Sequence, residues 1–196
     1  MAIDSDLELM LRVSRGDADS FGVLLNRYRG PLLNYFVRMV RDPALAEDLA
    51  QEAFLRVYQA RERYQPEARF TTWLYRIATN LALNAIRDRR SEPVVLETAL
   101  QTGNEFVSPL DRAADGRPTA EERLADSDRQ RLIRQAIEAL PEKQRAAVIL
   151  HKYQEVDYRQ IASILKISES AVKSLLFRAY ESLRARLEPL LEGGLV

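Results

Sequence analysis

A chain of 196 residues, 46% hydrophobic and 30% charged, with 29 basic side chains against 29 acidic ones, has the composition of a folded globular protein of one large domain or two small ones. The lack of cysteine excludes disulfides, thiol nucleophiles, thiolate metal sites and iron–sulfur clusters, and a single histidine excludes a His-rich metal cluster. None of the 7 glycines builds a G-x-x-x-x-G-K or G-x-G-x-x-G phosphate loop, and His151 has no matched nucleophile or orienting carboxylate, so no catalytic residue, cofactor or metal is expected. No apolar run approaches the ~20 residues that span a bilayer, and Met1-Ala2-Ile3-Asp4-Ser5-Asp6 lacks the basic start of a signal peptide. The expectation is a cytoplasmic protein without membrane insertion.

Zero net charge hides an uneven distribution. Residues 1–90 carry 14 basic and 12 acidic side chains, 91–128 carry 3 and 9, and 129–196 carry 12 and 8. The acidic middle also holds Pro93, Pro109, Pro118, Gly103 and Gly116, the residues of a linker. On either side apolar residues recur at spacings of three and four, predicting helices over 7–14, 19–39, 43–59 and 72–89, then 120–139, 142–153, 157–165 and 170–187. No stretch alternates as a strand would. The fold class is therefore all-α: two small helical domains, 1–92 and 129–196, joined by a flexible acidic linker over 93–128.

The helix over 43–59 opens with Asp42-Pro43, an N-cap acceptor followed by proline at the first helical position. At ~100° per residue, Ala46, Leu49, Ala50, Ala53 and Val57 share the core face. Asp48, Gln51, Glu52, Leu55 and Gln59 share the other side. That side reads either as a solvated polar face or, because Leu55 stands among polar residues, as a partner-binding spot.

In the helix over 72–89, Leu74, Ile77, Leu81 and Ala85 make the core stripe, which leaves Arg76, Asn80, Leu83, Arg87 and Arg90 outside. Just upstream, Arg61, Arg63, Tyr64, Arg69 and Phe70 interleave guanidinium groups with aromatics, a pattern suited to tracking phosphates and stacking on unpaired bases. The same residues also fit a plainer account, with aromatics in the core and arginines solvated. Trp73 fits both.

Residues 158–173 fit a helix-turn-helix, with Lys166-Ile167-Ser168 as the turn, although an ordinary helical hairpin is the alternative. Ile161, Leu165, Ile167 and Val172 stand where the two helices must pack, Ala162 where they come closest, and Ser168 is a good N-cap. The second helix then turns Glu169, Ser170, Lys173, Ser174, Phe177 and Arg178 outward and Val172, Leu176, Ala179 and Leu183 inward.

Five runs of residues, in order along nearly the whole chain, resemble the bacterial sigma factors of the extracytoplasmic-function (ECF, group IV) type. They are Ala46-Glu47-Asp48-Leu49-Ala50-Gln51-Glu52-Ala53-Phe54-Leu55-Arg56-Val57, Phe70-Thr71-Thr72-Trp73-Leu74-Tyr75-Arg76-Ile77-Ala78-Thr79-Asn80, Leu140-Pro141-Glu142-Lys143-Gln144-Arg145, Tyr158-Arg159-Gln160-Ile161-Ala162 and Ala171-Val172-Lys173-Ser174. The resemblance implies a region 2-like and a region 4-like domain, and a transcription initiation factor that binds core RNA polymerase and directs promoter recognition and melting. It implies that Asp48, Gln51, Glu52 and Leu55 dock on the polymerase. Arg61, Arg63, Tyr64, Arg69, Phe70, Trp73, Arg76, Asn80 and Arg87 would hold the melted minus-ten element. Ser168, Glu169, Ser170, Lys173, Ser174, Phe177 and Arg178 would read the minus-thirty-five element.

An anti-sigma factor is a further implied partner, and the free protein is expected to be monomeric. Two positions depart from the family pattern: Leu175 replaces an arginine that would reach DNA, and Lys166 replaces a glycine in the turn, where a left-handed backbone costs ~1–2 kcal/mol. A stand-alone helix-turn-helix regulator is the competing reading, and a helical adaptor that binds no DNA is a third.

Overall fold

The computed structural model describes the backbone of residues 5–65, 69–91 and 120–192, and among these residues there is no strand. The N-terminal half consists of α1 (Asp6–Ser14), α2 (Ala18–Val40), α3 (Pro43–Gln59), a 3-10 turn (Arg61–Arg63) and α4 (Phe70–Ser91). The C-terminal half consists of α5 (Ala120–Glu138), α6 (Glu142–Tyr153), α7 (Tyr158–Leu165) and α8 (Glu169–Glu192). Most of the linker expected over 93–128 lies outside the described residues, and its end, 120–128, is the first part of α5. The boundary expected at 129 thus falls inside a helix. α8 also runs on to Glu192 instead of stopping at 187.

Short polar residues start these helices. Ser5 caps α1 in a reciprocal box with Glu8, Asp17 caps α2 through the N–H groups of Asp19 and Ser20, and Asp42 accepts from the Leu45 N–H at 3.0 Å, ahead of Pro43 in α3. Asp157 and Gln160 form a second box on α7, and Ser168 Oγ accepts from the Ala171 N–H at 3.2 Å to start α8. Between α7 and α8 the chain reverses at Lys166, which is left-handed (φ 54°, ψ 48°), and the Ile167 N–H returns to the Ala162 carbonyl at 3.1 Å. The helix-turn-helix is present, built on a lysine where glycine would be unstrained.

Buried side chains form one continuous cluster through both halves, including Met10, Leu24, Tyr35, Phe36 and Leu74 in the first and Ile149, Leu150, Ile161 and Leu176 in the second. α4 packs against α2 and α3 on one side and against α7 on another, while α6 packs on α2. This changes the reading of α4. The stripe of Leu74, Ile77, Leu81 and Ala85 is too narrow: Leu74, Ala78, Leu81 and Ala82 are buried, and so is a second sector of Thr72, Tyr75 and Thr79, while Ile77 and Ala85 are only half-buried. A wheel that assumes one core face misses a helix with neighbours on two sides. Among the described residues no helix is long and apolar enough to cross a membrane.

Candidate nucleic-acid and partner interfaces

The first surface is the outer face of α3. Ala46, Leu49, Ala50, Ala53 and Val57 are buried as expected, and Asp48, Gln51, Leu55 and Gln59 are exposed, with Glu52 half-exposed and paired to Arg56 at 2.7 Å. Leu55 is 50% exposed. Beside it runs an apolar groove of 520 Å³ between α2 and α3, lined by Phe21, Leu25, Leu33, Phe54, Leu55 and Tyr58. Phe21 packs on Tyr58 with the rings tilted by 53° (centroids 5.0 Å apart) and meets Phe54 edge-on at 6.4 Å, so the groove wall is built of interlocked rings. The α2 contribution was missed in the sequence, although Phe21, Leu25, Arg29 and Leu33 recur every four residues and form a stripe on that helix.

The second surface is α4 with the segment before it. Tyr64 (8% exposed) and Phe70 (2%) are buried, and with half-buried Trp73 they make a cluster whose centroids lie 5.2 and 6.4 Å from Trp73. Burial, with Asp6 nearby, pushes the Tyr64 phenol above its ordinary pKa. Arg61 is half-buried, stacks 4.3 Å over the Tyr58 ring and donates to the Tyr58 carbonyl at 2.9 Å. In this arrangement Tyr64 and Phe70 are buried, as the plainer account has the aromatics, while Arg61 packs on Tyr58 where that account has it solvated. The surface itself belongs to Arg63, Arg69, Asn80 and Arg87, all exposed, and to half-exposed Trp73 and Arg76. Arg69, Trp73, Arg76 and Asn80 follow at spacings of three or four, with Arg87 seven residues further on, and so lie along one side of the helix axis.

The third surface is α8. Val172, Leu176 and Ala179 are buried and Leu183 packs against the core, while Glu169, Ser170, Lys173, Ser174, Phe177 and Arg178 are all exposed. Phe177 is 67% exposed, the most exposed large apolar side chain described. Lys173 lies 3.4 Å from Glu169, one turn back. Ser168 is exposed and capping, and Leu175 is half-buried against the core, where it packs instead of reaching outward.

A fourth feature, the seam between the halves, had no local signal in the sequence. Arg145 Nη1 donates to the Met39 carbonyl at 2.8 Å, Gln160 Nε2 donates to Thr72 Oγ1 at 3.2 Å, and the Tyr75 hydroxyl donates to Gln154 Oε1. The Arg38 guanidinium sits 3.9 Å over the Tyr153 ring. Burial pushes the Tyr75 phenol far above its ordinary pKa, so it remains a neutral donor.

The family model for Sigma-70 region 2 matches residues 24–92, and that for Sigma-70, region 4 matches residues 130–183. The chain is 33% identical to the RNA polymerase sigma-H factor of Pseudomonas aeruginosa, covering 96% of both chains. It is also 33% identical to the ECF RNA polymerase sigma factor SigW of Bacillus subtilis, covering 94% of this chain and 100% of that one. In fold it resembles the solved structure of CnrH in complex with the cytosolic domain of CnrY, with a TM-score of 0.69 at 20% identity over 95% of this chain and 99% of that one. It likewise resembles the sigma factor RpoE in complex with the anti-sigma factor NepR from Bartonella quintana, with a TM-score of 0.63 at 20% identity over 86% and 96%. Both region models and relatives matched end to end disfavour a stand-alone regulator. The chain belongs to the ECF-type RNA polymerase sigma factors.

Proposed function

We propose that this chain acts in the cytoplasm as a non-enzymatic initiation factor, with its three exposed surfaces divided between core RNA polymerase and promoter DNA. Asp48, Gln51, Glu52 and Leu55, with the adjoining α2–α3 groove, dock on the polymerase: an apolar anchor inside a charged rim is the pattern of a binding hot spot. Arg63, Arg69, Arg76, Asn80 and Arg87 hold the backbone and bases of the melted minus-ten strand, with Trp73 available to stack on a base and Arg61, Tyr64 and Phe70 bracing the segment from behind. Holding an extruded base offsets an unstacking cost of a few kcal/mol. Ser168, Glu169, Ser170, Lys173, Ser174, Phe177 and Arg178 read the minus-thirty-five element in the major groove. An anti-sigma factor would compete for the same exposed faces.

Reading both elements requires the seam to open. Elements about 25 base pairs apart lie roughly 85 Å apart on B-DNA at ~3.4 Å per step. A compact chain of this length is only about 40 Å across. The polar bonds of the seam are amide, hydroxyl and guanidinium contacts that water can replace, so the cost of opening falls on the apolar side chains packed between α4 and α7 and between α2 and α6. Polymerase binding would supply the energy that separates the halves.

One observation carries this reading: α8 exposes its entire outward set while the same chain carries an apolar groove beside half-exposed Leu55. The test is co-elution of the purified chain with bacterial core polymerase on a sizing column, beside an Asp48→Arg, Leu55→Glu double variant. The wild type is expected to move into the polymerase peak and the variant to elute alone. A wild type that elutes alone with active core would overturn the docking assignment.

A further inference from the structure

The seam opens on a cleft of 840 Å³, bordered by the ends of α2 and α4 on one side and by the α5–α6 turn on the other. Arg41, Arg89 and Arg90 reach it from the N-terminal half, and Lys143 and Arg145 from the C-terminal half. The carboxylates nearby are already engaged. Glu138 lies 3.7 Å from Arg41, Asp42 accepts from Arg89, and Glu142 Oε1 lies 2.6 Å from Arg90 Nη1 in a charge contact off the line of a hydrogen bond.

Two cations remain without a carboxylate. Lys143 is exposed and has no ion-pair partner among the described residues, and Arg145, only 7% exposed, donates solely to the carbonyls of Met39, Glu138 and Leu140. Arg145 Nε is buried with no hydrogen-bond partner. α6 starts at the cleft on Pro141 with no side-chain cap, so its first-turn N–H groups lack a side-chain acceptor. Burial lowers the Arg145 pKa from its ordinary value, and the positive charges of Arg41 and Arg90 lower it further, against Glu138 and Glu142. Positive potential therefore accumulates here in a chain of zero net charge.

We propose that this cleft binds a small oligophosphate anion, a polyphosphate chain or the phosphates of a nucleotide, between the two halves. Phosphate oxygens match what is offered: the Lys143 ammonium, the uncapped α6 N-terminus, and the guanidinium groups of Arg41, Arg89 and Arg90 once phosphate takes the place of their carboxylate partners. A volume within the ~300–1,000 Å³ usual for small-molecule sites exceeds what a single orthophosphate fills. Lys143 and the α6 N-terminus lie in one half and Arg41, Arg89 and Arg90, which must exchange their carboxylate partners for phosphate, lie in the other, so a ligand held by both sets binds the closed arrangement and loses one set when the seam opens. It therefore favours closure and opposes the opening that promoter reading requires. Binding itself is independent of the polymerase reading; only this last consequence rests on it.

The test is calorimetric titration of the full chain with sodium tripolyphosphate, with orthophosphate and a short single-stranded DNA as parallel ligands, and small-angle scattering with and without tripolyphosphate. Tripolyphosphate is expected to bind one-to-one, at least tenfold tighter than orthophosphate, and to narrow the scattering toward the compact form. Lys143→Glu and, separately, Arg90→Glu should each weaken binding at least tenfold, while Arg184→Glu, on the exposed end of α8, should leave it unchanged. Circular dichroism of each variant checks that it folds. Equal weakening by Arg184→Glu would reduce the effect to general counter-ion binding and overturn the site. DNA that binds more tightly than tripolyphosphate and loses affinity in the Lys143 and Arg90 variants would assign the cleft to nucleic acid instead and also overturn it. Because no polymerase is present, either failure leaves the docking test untouched.

Discussion

Arg145 of α6 and Met39 of α2 are 106 residues apart in the chain, and the side chain of one completes the helix of the other. α2 ends at Val40, so the Met39 carbonyl is one of the last four that have no partner within the helix. Arg145 Nη1 donates to it at 2.8 Å, while Nη2 turns back to the Glu138 and Leu140 carbonyls at 2.6 and 3.3 Å and closes the α5–α6 turn. The planar fork thus does two jobs, one inside its own half and one across the seam.

Arg145→Lys keeps the charge but cannot reach both sets of acceptors, since an ammonium is a single point and not a fork. Hydrogen bonds from charged groups contribute about 1.5–3 kcal/mol each. The variant is therefore expected to lose about 2 kcal/mol in urea unfolding and to show a larger radius of gyration at equal helix content. Stability lost without any expansion would confine the role of Arg145 to the α5–α6 turn.

Lys166 holds the left-handed position of the helix-turn-helix (φ 54°), a conformation glycine adopts without the Cβ penalty. Its side chain is exposed, so Lys166→Gly removes strain without removing packing. Part of the gain is offset by the greater freedom of glycine in the unfolded chain. A net stabilisation of about 0.5–1 kcal/mol is expected, read as a rise in melting temperature with unchanged promoter preference in the holoenzyme. A fall in melting temperature would mean that the lysine side chain makes a stabilising contact.

This turn was legible in the sequence, as were the Asp42-Pro43 start of α3, its buried face and the outward set of α8. Each is set by neighbours within a turn or two. The seam was not legible. Tyr75, Thr72 and Arg145 look locally like ordinary members of amphipathic helices, and their partners Gln154, Gln160 and the Met39 carbonyl lie 79, 88 and 106 residues away. Tyr64 and Phe70 show a related limit. An aromatic between arginines reads equally as a stacking platform or as core, and the choice is made by Tyr28, whose ring lies 5.3 Å from Phe70, and by Trp73.

Asp42 couples stability to pH. Its carboxylate accepts from Arg89 and from the Leu45 N–H, and these bonds, the Arg89 one foremost, hold its pKa below the ordinary aspartate value despite slight burial. A depressed folded-state pKa adds stability that is complete above the unfolded value, near about 4, and is lost as pH falls through the folded value. Asn is an equally good N-cap, so Asp42→Asn keeps the cap and removes the titration. The variant should be slightly less stable at neutral pH and show a shallower loss of stability below about pH 4, followed by urea midpoints across that range. Parallel curves for the two proteins would show that Asp42 carries no such coupling.

Phe177 is the exposed large apolar residue on the outward face of α8, the face proposed to read DNA, one position before Arg178. At 67% exposure it contributes little to the core, so Phe177→Ala should leave the melting temperature within about a degree. In the major groove an apolar side chain such as Phe meets the thymine methyl, and a base pair read wrongly costs about 1–3 kcal/mol. Holoenzyme carrying Phe177→Ala should therefore lose about tenfold in affinity for its promoter and much less for unrelated DNA. Arg178→Ala, if Arg178 contacts a phosphate, should weaken both alike and reduce the slope of log affinity against log salt by about 1. With only a modest excess of positive charge in each half, the free chain should bind either DNA weakly, so the comparison belongs in the holoenzyme, where tethering raises the effective concentration. Equal losses on promoter and unrelated DNA for Phe177→Ala would remove it from sequence reading and leave its exposed ring to a protein partner.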